Sequence, residues 1–280
     1  MQLSSTPVAY RVHEIEYLHV EGRAFEASIY QPEGEGPFPA LLDVHGGQWT
    51  IPTAHRHANA PMAKYLASRG MVVMAIEFRQ DREHRFPDSL ADSNCAMRWL
   101  RAHAEEYRAA RAPIGALGAS SGGHLVMLNA MKPADPRFCS MPVEGATCEE
   151  GGGDYLICHS PILDPLGRRK FAEQTGREDI LKSTDFWFHP PEMVSEANPQ
   201  LILDRHEPVR LVPALILQGT ADKNIDHRLQ DRFAEAYRAA GGEIQLEKFE
   251  GAPHIFFNEP GPHTDRCLEV IGAFVNRQIS

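Results

Sequence analysis

Residues 114–131 read Ile-Gly-Ala-Leu-Gly-Ala-Ser-Ser-Gly-Gly-His-Leu-Val-Met-Leu-Asn-Ala-Met, and this stretch decides the fold. Its first four residues form a short apolar run that predicts a buried strand, and the apolar stretch after Ser120 predicts a helix. The turn between them matches the pattern G-x-S-x-G, in which glycines without a Cβ let strand and helix pass at close range. Ser120 is then predicted to project above the end of the strand. Its neighbour Ser121 has flanks that fit the pattern less well.

Strand and helix signals alternate on both sides of this turn. Strands are predicted at 40–44, 71–78, 155–159, 214–218 and 244–249, and helices near 58–69, 88–106, 227–240 and 263–277. This alternation predicts βαβ units, hence a mostly parallel central sheet with helices on both faces. Residues 11–31 add two half-exposed antiparallel strands.

Two stretches interrupt this alternation, residues 132–154 and 164–208. Long segments outside a regular framework tend to be lids or binding loops. For residues 132–154, a solvent-exposed loop without such a role is the alternative. We therefore expect a single domain over residues 1–280, with a small cap or lid insertion at about 164–208.

The charge balance excludes several kinds of partner. The chain has 28 Lys plus Arg against 38 Asp plus Glu, a net charge of −10, which repels nucleic-acid phosphates and anionic membranes. A small, neutral or weakly charged molecule is the expected partner. No apolar run of membrane-spanning length and no signal peptide are recognisable.

The five cysteines are odd in number and scattered, a poor disulfide framework that favours a reducing compartment. We predict a cytoplasmic protein. The sequence leaves the oligomeric state open, and a homodimer is compatible with it.

A second motif, His45-Gly46-Gly47-Gln48-Trp49, follows the strand that ends at Val44. Consecutive glycines allow the backbone N–H groups to turn inward, where they can stabilise negative charge developing on a carbonyl oxygen. The start of the helix after Ser120 directs its dipole toward the same point. His45 is interpreted as a hydrogen bonder that holds this loop. The predicted oxyanion donors are Gly46, Gly47, Gln48 and Ser121.

A serine hydroxyl needs a base to remove its proton and a carboxylate to orient that base. Asp222 follows strand 214–218 and His254 follows strand 244–249, which gives the chain order serine, acid, histidine. We predict the triad Ser120, Asp222 and His254. Asp226 and Asp164 are the rival acids.

These motifs resemble those of the α/β-hydrolase superfamily, in particular the hormone-sensitive-lipase-like and BD-FAE-like esterases with a His-Gly-Gly-x-Trp loop. Kynurenine formamidases are also similar, since they share that loop and a Gly-His-Leu sequence, here Gly123-His124-Leu125. The chain departs from the hormone-sensitive-lipase branch at Gln48, where a third glycine is usual, and at Ala119, where an acidic residue is usual. The resemblance implies hydrolysis of an ester, thioester, lactone or aryl formamide through an acyl-enzyme.

The main hypothesis is a serine carboxylic ester hydrolase acting on small-molecule esters. An aryl formamidase and a non-catalytic ligand receptor on a hydrolase scaffold are the alternatives. No cofactor and no metal are expected, because the pair His55 and His57 has no supporting carboxylate ligands. Three aromatic side chains are predicted to wall the substrate pocket, with plain core packing as the alternative: Trp49, Phe186 and Trp187.

Overall fold

A single eight-stranded sheet forms the centre of the protein, as described by a computed structural model of all residues 1–280. The spatial order of the strands is β1-β2-β4-β3-β5-β6-β7-β8. The two pairings that involve β2 are antiparallel and the others are parallel. The strands are β1 Tyr10–Val20, β2 Arg23–Pro32, β3 Phe38–Val44, β4 Val72–Ile76, β5 Ala109–Ala119, β6 Tyr155–His159, β7 Ala214–Gly219 and β8 Ile244–Phe249.

Nine α-helices surround the sheet: α1 Ala60–Ser68, α2 Asp88–Ala102, α3 Ser121–Met131, α4 Pro165–Thr175, α5 Glu178–Trp187, α6 Met193–Glu196, α7 Pro199–Asp204, α8 Arg228–Ala239 and α9 Pro262–Gln278. Three short 3-10 turns complete the structure: Arg56–Asn59, Ala104–Tyr107 and Cys148–Gly151. Side chains of α1 and α9 form a hydrophobic core on one face of the sheet. Those of α2, α3 and α8 form the core on the other. The predicted mostly parallel sheet with helices on both faces is therefore confirmed.

The register of the central strands brings the ends of β3, β5 and β6 side by side. Val44 pairs with Gly118, and Ala119 pairs with His159. The loops that follow these strands consequently leave the sheet at the same edge, because parallel strands end on the same side.

Residues 164–208 contain the four helices α4 to α7. Asp164 is the N-cap of α4, because its carboxylate accepts a hydrogen bond from the Gly167 N–H at 2.9 Å. Asn198 caps α7 in the same way through the Leu201 N–H at 3.1 Å. The segment packs on α3 and α8. Its action as a lid stays a prediction.

The structure of segment 132–154 shows that the prediction of no disulfide was wrong. Cys139 and Cys148 form a disulfide with a Cα–Cα distance of 5.5 Å, although the cysteine spacing indicated no disulfide framework. The pairing arises because the segment turns back on itself before the 3-10 turn. Arg101 of α2 holds the returning chain through the carbonyls of Glu150, at 3.1 Å, and Gly152, at 3.0 Å.

None of the helices combines the length and apolar character needed to cross a bilayer.

Candidate active site

Ser120 lies in the sharp turn between β5 and α3. Its backbone has φ 53° and ψ −115°, a strained conformation for a non-glycine residue that only surrounding structure can hold. The Ser120 N–H donates to the carbonyl of His159 at 2.9 Å. A Cβ on Gly122 would lie 2.1 Å from the carbonyl oxygen of Val44, so a glycine is required where α3 meets the end of β3.

The three predicted triad residues come together although they are far apart in the chain. The Ser120 hydroxyl hydrogen-bonds His254 Nε2 at 2.9 Å. On the other side of the ring, His254 Nδ1–H donates to Asp222 Oδ2 at 2.7 Å. In this tautomer Nε2 is free to accept the serine proton, and the carboxylate fixes the orientation of the ring.

Three further hydrogen bonds hold the Asp222 carboxylate in place. Oδ1 accepts from the backbone N–H groups of Asn224, at 2.7 Å, and Ile225, at 3.0 Å. Oδ2 also accepts from Gln218 Nε2 at 2.9 Å. Burial raises the pKa of Asp222, but its hydrogen bond to His254 and these donors outweigh burial and bring the pKa below its ordinary value. The carboxylate is therefore ionised at neutral pH.

The glycine loop after β3 presents unused backbone donors beside Ser120. A Cβ on Gly46 would lie 3.1 Å from the Ser120 Cβ, so the loop passes directly against the nucleophile. The N–H groups of Gly46, Gly47 and Gln48 have no acceptor within the protein, and neither has that of Ser121 at the first position of α3. Free backbone amides beside a nucleophile can receive the oxygen of a reacting carbonyl.

His45 braces this loop, in agreement with the structural role predicted for it. Its Nδ1–H donates to the carbonyl of Gly46 at 2.7 Å, and its ring stacks on Phe78 with 4.6 Å between centroids. Burial lowers the pKa of His45 to about 4, which keeps the ring neutral. Gln80 adds a second brace, because its amide donates to the carbonyl of Ile51 at 3.1 Å.

The rival residues occupy other places. The Ser121 hydroxyl is buried without a hydrogen-bond partner. Asp226 pairs with Arg228 at 2.6 Å, and Asp164 caps α4. The rings of His55 and His57 lie 5.5 Å apart, and no group of three metal-ligating side chains forms around them or elsewhere.

The aromatic residues predicted to wall the pocket are only partly brought together. Trp49 and Trp187 are fully buried and stack on each other with 5.0 Å between centroids. Trp49 Nε1–H donates to His124 Nδ1 at 3.3 Å, which ties the glycine loop to α3. Phe186 lies apart from this stack, with the Arg85 guanidinium 4.7 Å from its ring centroid. Both tryptophans thus belong to the core cluster that supports the loop, and their role as pocket walls stays a prediction.

A cavity of about 680 Å³ opens beside the glycine loop. Gln48 and Ser183 of α5 lie at its wall, together with Asp179 and Lys182. The Ser183 hydroxyl donates to the Gln48 side chain at 2.9 Å. The cavity therefore connects the loop after β3 with the inserted helices.

Sequence reasoning missed several residues around the triad. Gln218 at the end of β7 reaches Asp222, and the Ser160 hydroxyl donates to the carbonyl of His254. His159 is buried between Phe256 and Phe257, with 4.5 and 4.4 Å between ring centroids. In the sequence, the only sign of a role for these residues was their position at the ends of strands. Their side chains come near the triad only when the sheet has formed.

Comparison with known proteins places the chain in a family. The model of the BD-FAE family matches residues 27–237. The chain belongs to the BD-FAE family. The match includes Ser120, Asp222 and the glycine loop and ends before His254, so it is the geometry that brings this histidine to the other two residues of the site.

Two relatives of this BD-FAE chain come from Mycobacterium tuberculosis. The probable carboxylic ester hydrolase LipM is 37% identical over 72% of the chain and 49% of LipM. The carboxylic ester hydrolase LipN is 29% identical over 86% of the chain and 64% of LipN. The chain thus spans about half the length of LipM and under two thirds of LipN.

A solved structure matches more completely. The propionate-bound esterase Est2 of Thermogutta terrifontis superimposes with a TM-score of 0.74 at 27% identity, covering 94% of this chain and 93% of Est2. This agreement confirms the predicted α/β-hydrolase fold.

Proposed function

We propose that the protein is a serine carboxylic ester hydrolase in which Ser120, His254 and Asp222 form the catalytic triad. The observation that carries the proposal is the hydrogen-bonded chain of Ser120 Oγ, His254 and Asp222, with links of 2.9 and 2.7 Å. It ends at a serine that lies beside unpaired backbone amides. Membership of the BD-FAE family and likeness to named ester hydrolases support the same reaction.

The reaction begins when Ser120 Oγ attacks the ester carbonyl while its proton passes to His254 Nε2. The carbonyl oxygen becomes an anion, for which the N–H groups of the glycine loop and of Ser121 are the proposed donors. His254 then gives the proton to the departing alcohol, and an acyl-enzyme remains. Water, deprotonated by His254, cleaves the acyl-enzyme, releases the carboxylic acid and restores the serine.

Short acyl groups are the proposed substrates. The Est2 structure that this chain resembles has propionate bound, and a second Est2 structure has butyrate bound. A lactone or an aryl formamide presents the same attackable carbonyl, so both belong in the test.

The decisive experiment compares Ser120→Ala with the wild type on 4-nitrophenyl propionate and 4-nitrophenyl butyrate. Because the triad acts as a unit, we expect a loss of about 10⁴-fold or more in kcat. Ser140→Ala, which alters an exposed serine, is the matched control and should retain wild-type rates. Full activity of Ser120→Ala would refute the mechanism.

A fluorophosphonate probe and a substrate panel separate the alternatives. The probe should label the wild type at Ser120, and His254→Ala should not be labelled. Absence of labelling and turnover in the wild type would favour a ligand receptor. Faster turnover of a formanilide than of a matched phenyl ester would favour an aryl formamidase.

A further inference from the structure

Arg168, on the inserted helix α4, is a buried cation without a partner. Its side chain retains 1% of its exposure, and its Nε and Nη1 atoms are buried with no hydrogen-bond partner. A buried guanidinium normally has its donors satisfied, because burying an unpaired charge is costly. Packing within the fold therefore does not account for the unpaired donors of Arg168.

The guanidinium lies against the last residue of the glycine loop. Its Cζ atom is 5.7 Å from the ring centroid of Trp49, the last residue of the glycine loop. Burial lowers the pKa of Arg168 to about 10, and the carboxylates of Asp222 and Asp179 act in the opposite direction, while Arg177 adds to the lowering. The side chain is thus charged at neutral pH, within the electrostatic reach of the triad.

The neighbouring carboxylates are already paired with other groups. Asp179 forms an ion pair with Arg177 at 2.8 Å. Asp222 is engaged by His254 at 2.7 Å and by the donors of its own loop. Neither carboxylate is hydrogen-bonded to Arg168, so both offset its positive charge only through space, and its Nε and Nη1 donors stay without an acceptor.

We propose that Arg168 binds a carboxylate of the substrate, so that the preferred esters carry a second, free carboxylate group. A guanidinium presents parallel N–H donors that match the two oxygens of a carboxylate. The free carboxylate of the bound substrate would then pair with this charge. That carboxylate could belong to the acyl part or to the alcohol part of the ester. This inference rests on the proposed esterase function and names its substrate class.

The test measures kcat/KM on ester pairs that differ only in charge. For the acyl side, 4-nitrophenyl hydrogen glutarate is compared with 4-nitrophenyl methyl glutarate. For the alcohol side, 4-acetoxybenzoate is compared with its methyl ester. We expect the wild type to prefer the charged member of at least one pair by about tenfold or more, the contribution of a hydrogen bond to a charged group.

Arg168→Met removes the charge and keeps an unbranched apolar side chain. We expect it to lose about 10- to 100-fold on the preferred charged ester and to stay within about threefold on the neutral one. Arg168→Lys should recover part of the preference. The matched control is Arg169→Met, which alters the adjacent, partly exposed arginine paired with Asp185 and should leave both rates unchanged.

Several results would overturn the inference. One is a wild type that hydrolyses neutral esters and prefers neither charged member; another is an equal loss by Arg168→Met on charged and neutral esters. A thermal unfolding scan supplies a second readout, because removing an unpaired buried charge should leave Tm unchanged or raise it. A lower Tm together with equal losses would assign Arg168 a structural role.

Inhibition keeps the inference testable should a variant fail to fold. Glutarate should inhibit the wild type at a concentration about tenfold lower than butyrate, and equal inhibition would count against the carboxylate site. The proposed function is judged separately, by hydrolysis of the neutral esters and by fluorophosphonate labelling of Ser120.

Discussion

The contact between Gly122 and the end of β3 allows a quantitative prediction for the variant Gly122→Ala. A Cβ at this position would lie 2.1 Å from the carbonyl oxygen of Val44 and 2.5 Å from that of His45. Both are backbone atoms, so no side-chain rotation relieves the overlap. Real Cβ contacts are essentially never below 3.0 Å, so the start of α3 must move by at least 3.0 − 2.1 = 0.9 Å.

Such a movement separates Ser120 and the α3 N-terminus from the glycine loop. A misplacement of about 1 Å can cost about 100-fold in rate. Overpacking of a close-packed region costs about 1–3 kcal/mol, partly offset by the gain of up to about 1 kcal/mol from replacing a helical glycine by alanine. We therefore expect kcat/KM to fall about 100-fold and the free energy of unfolding to fall by about 1–2 kcal/mol.

The assay combines kcat/KM on 4-nitrophenyl propionate with thermal unfolding. Gly272→Ala is the matched control, because nothing lies within 4 Å of its added Cβ on α9. It should keep wild-type activity and gain about 0.5–1 kcal/mol in stability from the improved helix propensity. Wild-type activity and Tm in Gly122→Ala would refute the argument from close approach.

Three further predictions follow from the site and its surroundings. Asp222→Asn should lower kcat by about 10³- to 10⁴-fold by favouring the wrong tautomer of the histidine, whereas Asp226→Asn should keep its kcat in the same assay. Burial raises the pKa of Asp43 from 3.8 to about 7. Between these two values the folded protein holds a proton that the unfolded chain has released, so the free energy of unfolding falls as the pH rises from about 4 to about 7. Asp43→Asn should therefore exceed the wild type in Tm at pH 8 and match it at pH 4; a constant difference at both pH values would contradict this. Reducing the Cys139–Cys148 disulfide should cost about 2–3 kcal/mol, as expected for its short loop, without changing kcat/KM; a loss of activity would show that segment 132–154 supports the site.

The strongly depressed pKa of Asp179 illustrates how the charges near the site are arranged. Its hydrogen bond with Arg177 is the main cause, and the pKa falls to about 2. The carboxylate is consequently ionised at neutral pH. Its charge and that of Asp222 would repel an anionic substrate, so the positive charge of Arg168 is what makes a carboxylate-bearing ester acceptable in the proposed site.

The order and type of the main elements followed from local patterns in the sequence. Strand β6 and helix α3 have the predicted bounds, because an apolar run bounded by turn residues and an apolar stretch after G-x-S-x-G are local signals. The candidate triad could also be named in advance, since in a parallel sheet the loops after successive strands emerge at one edge. Chain order and strand ends were sufficient to name Ser120, Asp222 and His254 as candidates.

Only the tertiary structure decided which side chains meet away from these strand ends. Cys139 and Cys148 pair because their segment folds back on α2, and Trp187 stacks on Trp49 although 138 positions separate them in the chain. The missing partner of Arg168 is likewise invisible in the sequence, where an arginine on a polar helix is typical of a solvated surface. Periodicity and motifs depend on residues that are close in the chain, so they predict individual helices, strands and turns. Burial and side-chain pairing depend on how distant elements pack, which only the assembled sheet and helices determine.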